Sequence, residues 1–192
     1  MKRAIIVHCW GGYPEYCWYP YVKKELEQAG FSVHVPAFPD TDAPKQAAWV
    51  PFLQKEIGTP DDDLFLIGHS VGCITILRYL ETLGENERVG GVVSVAGFTG
   101  NLGFEELSNY FGTPIDFPHI KSKAKNGFVV IHSDNDPYVP LHFADVFKKE
   151  LDAEVIVKHD EGHFSGPIGE EDSCTELPDV VSSVEKLSQR NS

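Results

Sequence analysis

Six short apolar runs recur along the chain, at 4–9, 31–35, 64–67, 92–96, 128–132 and 155–158. Most are continuous rather than alternating. A strand with one wet face alternates apolar and polar residues, whereas a strand covered on both faces does not. Stretches with helical period lie between the runs. That order predicts an α/β fold, a parallel sheet of about six strands with helices on both faces.

The intervening helices are readable. Residues 21–29 carry Val22, Leu26 and Ala29 at helical spacing, and Gly30 is placed to cap their end. Asp42 is an expected N-cap, with Pro44 in the first turn and Trp49, Phe52, Leu53 and Ile57 on one face. Pro51 inside that stretch predicts a kink or a restart. Residues 71–83 are nearly all apolar and stop at Gly84, as a buried helix would. Pro140 opens a helix bearing Phe143, Val146, Phe147 and Leu151. Leu177, Val180, Val181, Val184 and Leu187 form the stripe of a last one. Two irregular stretches interrupt the pattern: 98–127, expected to form a small cap, and 164–175, expected to be a flexible polar loop.

At 192 residues the expected organisation is one domain spanning 1–192. A formal net charge of −13 disfavours nucleic acid and anionic membrane as partners. Cys9, Cys17, Cys73 and Cys174 form no CxxC pair and suit free thiols in a reducing compartment. The apolar run at 4–7 is too short for a signal peptide and is interrupted by His8, Gly11 and Gly12. No run approaches the roughly 20 residues of a membrane span. The expectation is a cytoplasmic protein. There is no HExxH and no ligand set at helical spacing, so neither a metal nor another cofactor is expected.

Residues Gly68-His69-Ser70-Val71-Gly72 read G-x-S-x-G, after an apolar run and before a helix. A strand–turn–helix setting is what a nucleophile elbow requires. The glycines permit close packing around a strained serine. The competing role for Ser70 is an ordinary helix N-cap. A serine nucleophile needs a base, and the base needs an orienting carboxylate. Asp136 opens Asp-Pro-Tyr-Val-Pro and is preferred to Asp134, which suits a surface turn. His163 follows Gly162 and is preferred to His159. Both segments follow predicted strands, on the same sheet edge as Ser70. His69 is expected to help hold the elbow. The oxyanion donors are expected to be the Val71 N–H and the N–H of Cys9 or Trp10, from the loop after the first strand.

These motifs resemble the α/β-hydrolase superfamily. The segments Trp18-Tyr19-Pro20-Tyr21-Val22-Lys23-Lys24-Glu25-Leu26 and Trp49-Val50-Pro51-Phe52-Leu53 are similar to the small lidless serine hydrolases of the retinoblastoma-binding-protein and YdeN-like type. That resemblance covers nearly the whole chain. It implies a six-stranded sheet lacking the first two strands of larger relatives, and Ser70, Asp136 and His163 as the triad. The expected activity is hydrolysis of a small-molecule acyl substrate: an ester, thioester or amide. Trp10, Tyr13, Phe98 and Phe164 are the expected substrate-binding residues, in an open site with a minimal cap. A protein partner belongs to the alternative, a binding or scaffold protein with little turnover.

Overall fold

The computed structural model describes residues 1–166 and 174–190. In chain order its elements are β1 (Arg3–Val7), α1 (Tyr19–Gln28), β2 (Ser32–His34), α2 (Gln46–Ile57), β3 (Leu64–His69), α3 (Val71–Leu80), β4 (Gly91–Val95), a 3-10 helix (Glu105–Phe111), α4 (Phe117–Ser122), β5 (Phe128–Ser133), α5 (His142–Leu151), β6 (Glu154–Lys158) and α6 (Pro178–Gln189). The six strands form one sheet in the order β2-β1-β3-β4-β5-β6, and every pair is parallel.

Burial explains the continuous apolar runs. Every residue of β3, β4 and β5 is buried. On one face, Trp18 and Val22 pack with Val180, Val184 and Leu187 of α6 over Ile6, Ile67, Val93 and Val129. On the other, Trp49 and Leu53 of α2, Ile74 and Leu77 of α3, and Phe147 of α5 cover Ile5, Leu66, Val92 and Val130. The order reverses between β1 and β3. In such sheets the crevice beyond the carboxyl ends at the reversal is where ligands bind.

Local chemistry sets the helix ends. α1 closes as expected on Gly30, at φ 87°. The Gly30 N–H bonds to the Glu27 carbonyl and the Phe31 N–H to that of Leu26, the paired bonds of a Schellman turn. The start of α2 differs from expectation. Lys45, not Asp42, flanks it, and the helix begins at Gln46. Residues 40–43 are instead held as a turn, with Ala43 N–H on the Asp40 carbonyl and Gly11 N–H on that of Thr41. Pro51 lies within α2 without ending it. Pro51 and Ala47 are both exposed, so the proline sits on the outer face of the helix.

The expected cap at 98–127 is a 3-10 helix and the short α4. Leu107, Tyr110 and Ile120 anchor it in the core. Arg78 of α3 secures it further. Its guanidinium donates to the carbonyls of Tyr110 (2.7 and 2.9 Å) and Thr113 (2.7 Å), and pairs with Glu81. Of the expected loop 164–175, residues 167–173 lie outside the described residues. None of the four cysteines is in a disulfide. Among the described residues no helix is long and apolar enough to cross a membrane.

Three histidines, His8, His69 and His132, are fully buried. His8 accepts at Nε2 from the Phe38 N–H and donates from Nδ1 to the Cys9 carbonyl, so it is neutral. Neither ring nitrogen of His132 has a partner among the described residues. Burial lowers all three pKa values, His69 to about 3 and His132 to about 4. Such groups take up protons only on unfolding, below about pH 6.5. Their stabilisation is therefore complete above that pH and is lost as pH falls. Exposed His159, raised by its bond to Asp134, acts with the opposite sign but is screened by water. Between pH 7 and 5 the loss from His69 and His132 together is on the order of 3 kcal/mol. Urea denaturation at the two pH values should show this fall, and His132→Leu should make it shallower. Equal stability at both pH values would contradict the account.

Candidate active site

Four loops meet beyond the carboxyl ends of the strands. They follow β1, β3, β5 and β6. The turn after β3 is the tightest. Ser70 sits at φ 54° and ψ −117°, a strained conformation for a residue with a side chain. Its N–H is held by the Val95 carbonyl at 2.9 Å. The flanking glycines are obligatory. A Cβ at Gly68 would lie 2.8 Å from Cys73 Cα, and one at Gly72 only 2.1 Å from the Val7 carbonyl oxygen. Ser70 occupies the N-cap position of α3, yet its hydroxyl makes no capping bond. The ordinary reason for a serine before an apolar helix is thus absent here. The hydroxyl instead borders a cleft, beside the positive end of a helix that favours developing negative charge.

The strand ends of β5 and β6 are tied by four consecutive residues. Ser133 Oγ accepts from the Glu161 N–H at 3.0 Å. Asp134 binds His159 Nδ1 at 2.7 Å and the Asp160 N–H at 3.1 Å. Asn135 Oδ1 accepts from the Gly162 N–H at 2.8 Å, and Asp136 Oδ2 lies 2.8 Å from His163 Nδ1. Both aspartates thus have a histidine, but the pairs differ in setting. The His159 side chain is 82% exposed and that of Asp134 37%, whereas those of His163 and Asp136 are 12% and 1%. The outer pair is a surface clasp; the inner one borders the cleft.

Asp136 is ionised in this setting. Burial pushes its carboxyl up, but the bond from His163 and the N–H groups of Val139 (3.0 Å) and Tyr138 (2.8 Å) outweigh it. The net shift is downward. An ionised carboxylate only accepts, so His163 carries its hydrogen on Nδ1 and leaves Nε2 as the basic nitrogen.

Ser70 and His163 line one cleft of about 310 Å³, with Cys9, Trp10, Tyr16, Leu102, Phe104, Leu107, Tyr138 and Ser165. Trp10 and Phe104 meet edge to face at 6.0 Å, and Tyr138 packs edge to face on His163 at 5.1 Å. Among the described residues no Lys, Arg, Asp or Glu lines this cleft.

Several sequence expectations for the lining need correction. Trp10 is at the cleft, but Phe98 and Phe164 are fully buried in the two cores. Tyr13 packs against Tyr16 at 5.4 Å and does not line the cleft. The cap contributes Leu102, Phe104 and Leu107 in their place. The sequence carries one hint of this: Phe104 follows Gly103, which adopts φ 89° and marks a turn. Of the two proposed donors in the first loop, the Cys9 N–H is engaged by the Tyr19 hydroxyl at 3.0 Å. Burial raises the Cys9 thiol to about 11, which keeps it a neutral wall atom.

Comparison with known proteins agrees with this architecture. The family described as serine hydrolase matches residues 4–182. The Bacillus subtilis protein YdeN is 30% identical over 181 residues, covering 93% of this chain and 92% of that protein. The serine hydrolase RBBP9 of Rattus norvegicus is 32% identical over 167 residues, covering 84% and 87%. The crystal structure of the B. subtilis ydeN gene product superposes with a TM-score of 0.89 at 28% identity, over 97% of this chain and 98% of that one. The family match spans most of the chain and includes the Ser70 turn, Asp136 and His163, so this α/β-hydrolase-fold protein belongs to the serine hydrolase family.

Proposed function

We propose that the protein hydrolyses small neutral esters, thioesters or amides through a covalent acyl-enzyme, with Ser70, His163 and Asp136 as the catalytic triad. One observation carries the reading. Ser70, held strained and uncapped, shares a cleft with a histidine whose far nitrogen is fixed by a buried carboxylate.

The sequence of steps follows from the proton positions. His163 Nε2 takes the proton from Ser70 Oγ as that oxygen attacks the substrate carbonyl carbon. The oxyanion forms against the N–H groups of Val71 and Trp10, at the N-terminus of α3. Trp10 is preferred to Cys9 because the Cys9 N–H already serves Tyr19. His163 returns the proton to the leaving group, and the carbon–heteroatom bond breaks. A water then gives its proton to the same Nε2 and attacks the acyl-enzyme, releasing the acid and restoring Ser70. Asp136 stays ionised throughout and balances the transient imidazolium.

The cleft lining favours an uncharged acyl group. It offers Trp10, Leu102, Phe104 and Leu107 as an apolar wall and, among the described residues, no cation to pair with a carboxylate. The net charge of −13 adds long-range repulsion against anionic substrates. A short aliphatic or single-ring acyl group suits about 310 Å³.

Hydrolysis of p-nitrophenyl esters tests this directly. Ser70→Ala and His163→Ala should fall to background, and Asp136→Asn should lose about 10³–10⁴-fold in kcat. Esterase activity that survives Ser70→Ala would refute the assignment.

The cleft wall makes a second prediction. Across acetate, butyrate, hexanoate and octanoate esters, wild type should favour the short members. Removing the Trp10–Phe104 contact by Phe104→Ala should raise the octanoate-to-butyrate ratio of kcat/KM about tenfold. An unchanged ratio would place the acyl group elsewhere.

A further inference from the structure

The residue before Ser70 links the loops after β1, β3 and β6. His69 is fully buried, as is Tyr19. The Tyr19 hydroxyl lies 2.7 Å from His69 Nδ1, and the His163 carbonyl oxygen 2.8 Å from His69 Nε2. A carbonyl only accepts, so Nε2 carries the hydrogen and Nδ1 accepts from the Tyr19 O–H. The Tyr19 oxygen in turn accepts from the Cys9 N–H at 3.0 Å. Every bond therefore runs in one direction. Cys9 donates to Tyr19, Tyr19 to His69, and His69 to the backbone of His163 itself.

The arrangement allows one proton placement. A second proton on His69 would turn Nδ1 into a donor and force the Tyr19 hydrogen away from it. It would also put a charge in the core with the His163 ring centroid 5.3 Å away. Burial and that neighbouring histidine oppose this, lowering His69 to about 3. Trp18 closes the ring of contacts, 4.7 Å from Tyr19 and 5.5 Å from His69 between centroids.

We propose that Tyr19 and His69 are positioning residues, a one-way hydrogen-bond relay that sets the catalytic base and the oxyanion loop at fixed separations from Ser70. The proposal rests on the Ser70–His163 reading above. It goes beyond it by assigning a rate-setting role to two side chains outside the cleft. Neither touches substrate. Their loss should loosen the geometry of the bond-making step and leave binding in the apolar cleft intact.

The test compares Tyr19→Phe, His69→Gln, His69→Leu and the double variant Tyr19→Phe/His69→Leu, with Ser70→Ala as control. Tyr19→Phe keeps the ring and its packing and removes only the hydroxyl. It should lower kcat for p-nitrophenyl butyrate by 10- to 100-fold, with KM within about twofold of wild type. A Gln amide offers one donor and one acceptor, so His69→Gln should retain at least tenfold more kcat than His69→Leu. The double variant should be no slower than His69→Leu, because the relay is already broken. If His69→Leu does not fold, Tyr19→Phe against His69→Gln still decides the matter. Wild-type kcat in Tyr19→Phe would overturn the relay, as would a rise in KM alone or purely additive losses. A side chain that merely fills the core would lower the melting temperature without this split between kcat and KM. The control separates the two claims. An active Ser70→Ala refutes the triad reading, whereas an inactive one with full-rate Tyr19→Phe refutes only the relay.

Discussion

Helix α3 starts so close to β1 that the backbone of Gly72 touches the Val7 carbonyl, with no room for even one methyl group between them. That approach shapes the site. It brings the end of β1 against the turn after β3, at the point where the strand order reverses. It leaves Ser70 no relaxed conformation, because the chain must swing from strand to helix within one residue. It also carries the loop that begins at His8 to the edge of the cleft, where Cys9 and Trp10 stand beside Ser70. Strain of this kind persists only when the surroundings over-determine it, and the fully buried β3 and α3 on either side do so.

The remaining loops are located by hydrogen bonds rather than by apolar packing. Residues 133–136 grip 159–163 with bonds from four successive side chains. Each short polar side chain in Ser-Asp-Asn-Asp thus has a partner one strand away, and His163 is the last of those partners. The Tyr19–His69 chain approaches the same loop from beneath. The histidine is fixed at both its ring and its own carbonyl, so its loop needs little apolar anchoring beyond Phe164. The cap is treated differently. Arg78 holds its carbonyls from inside the core, while Phe104 is left 39% exposed at the cleft mouth.

How much of this was legible in the sequence depends on the range of the interaction. The strands were readable because burial on both faces removes the polar residues that alternate in one-sided sheets. The Ser70 turn is legible because steric demand selects glycine at fixed offsets, and the pairing of Asp136 with His163 because both follow strands in short polar motifs. The start of α2 is not legible locally: Asp42 suits a helix cap, but Trp10 and Gly11, some 30 positions earlier, recruit carbonyls of that segment for a turn instead. The cleft wall is hidden from the sequence for the same reason. Phe98, Phe104 and Phe164 are chemically alike, and only the path of the cap decides which faces the cleft. The Tyr19–His69 bond leaves no local pattern, since the two residues are 50 positions apart.

The central claim is that Ser70 is an activated nucleophile in an accessible cleft. Intact mass and peptide mapping after treatment with a fluorophosphonate test it without any knowledge of the substrate. The account predicts one adduct per chain, on the peptide bearing Ser70, and none in Ser70→Ala. An unlabelled wild-type protein, or an adduct on another residue, would contradict it.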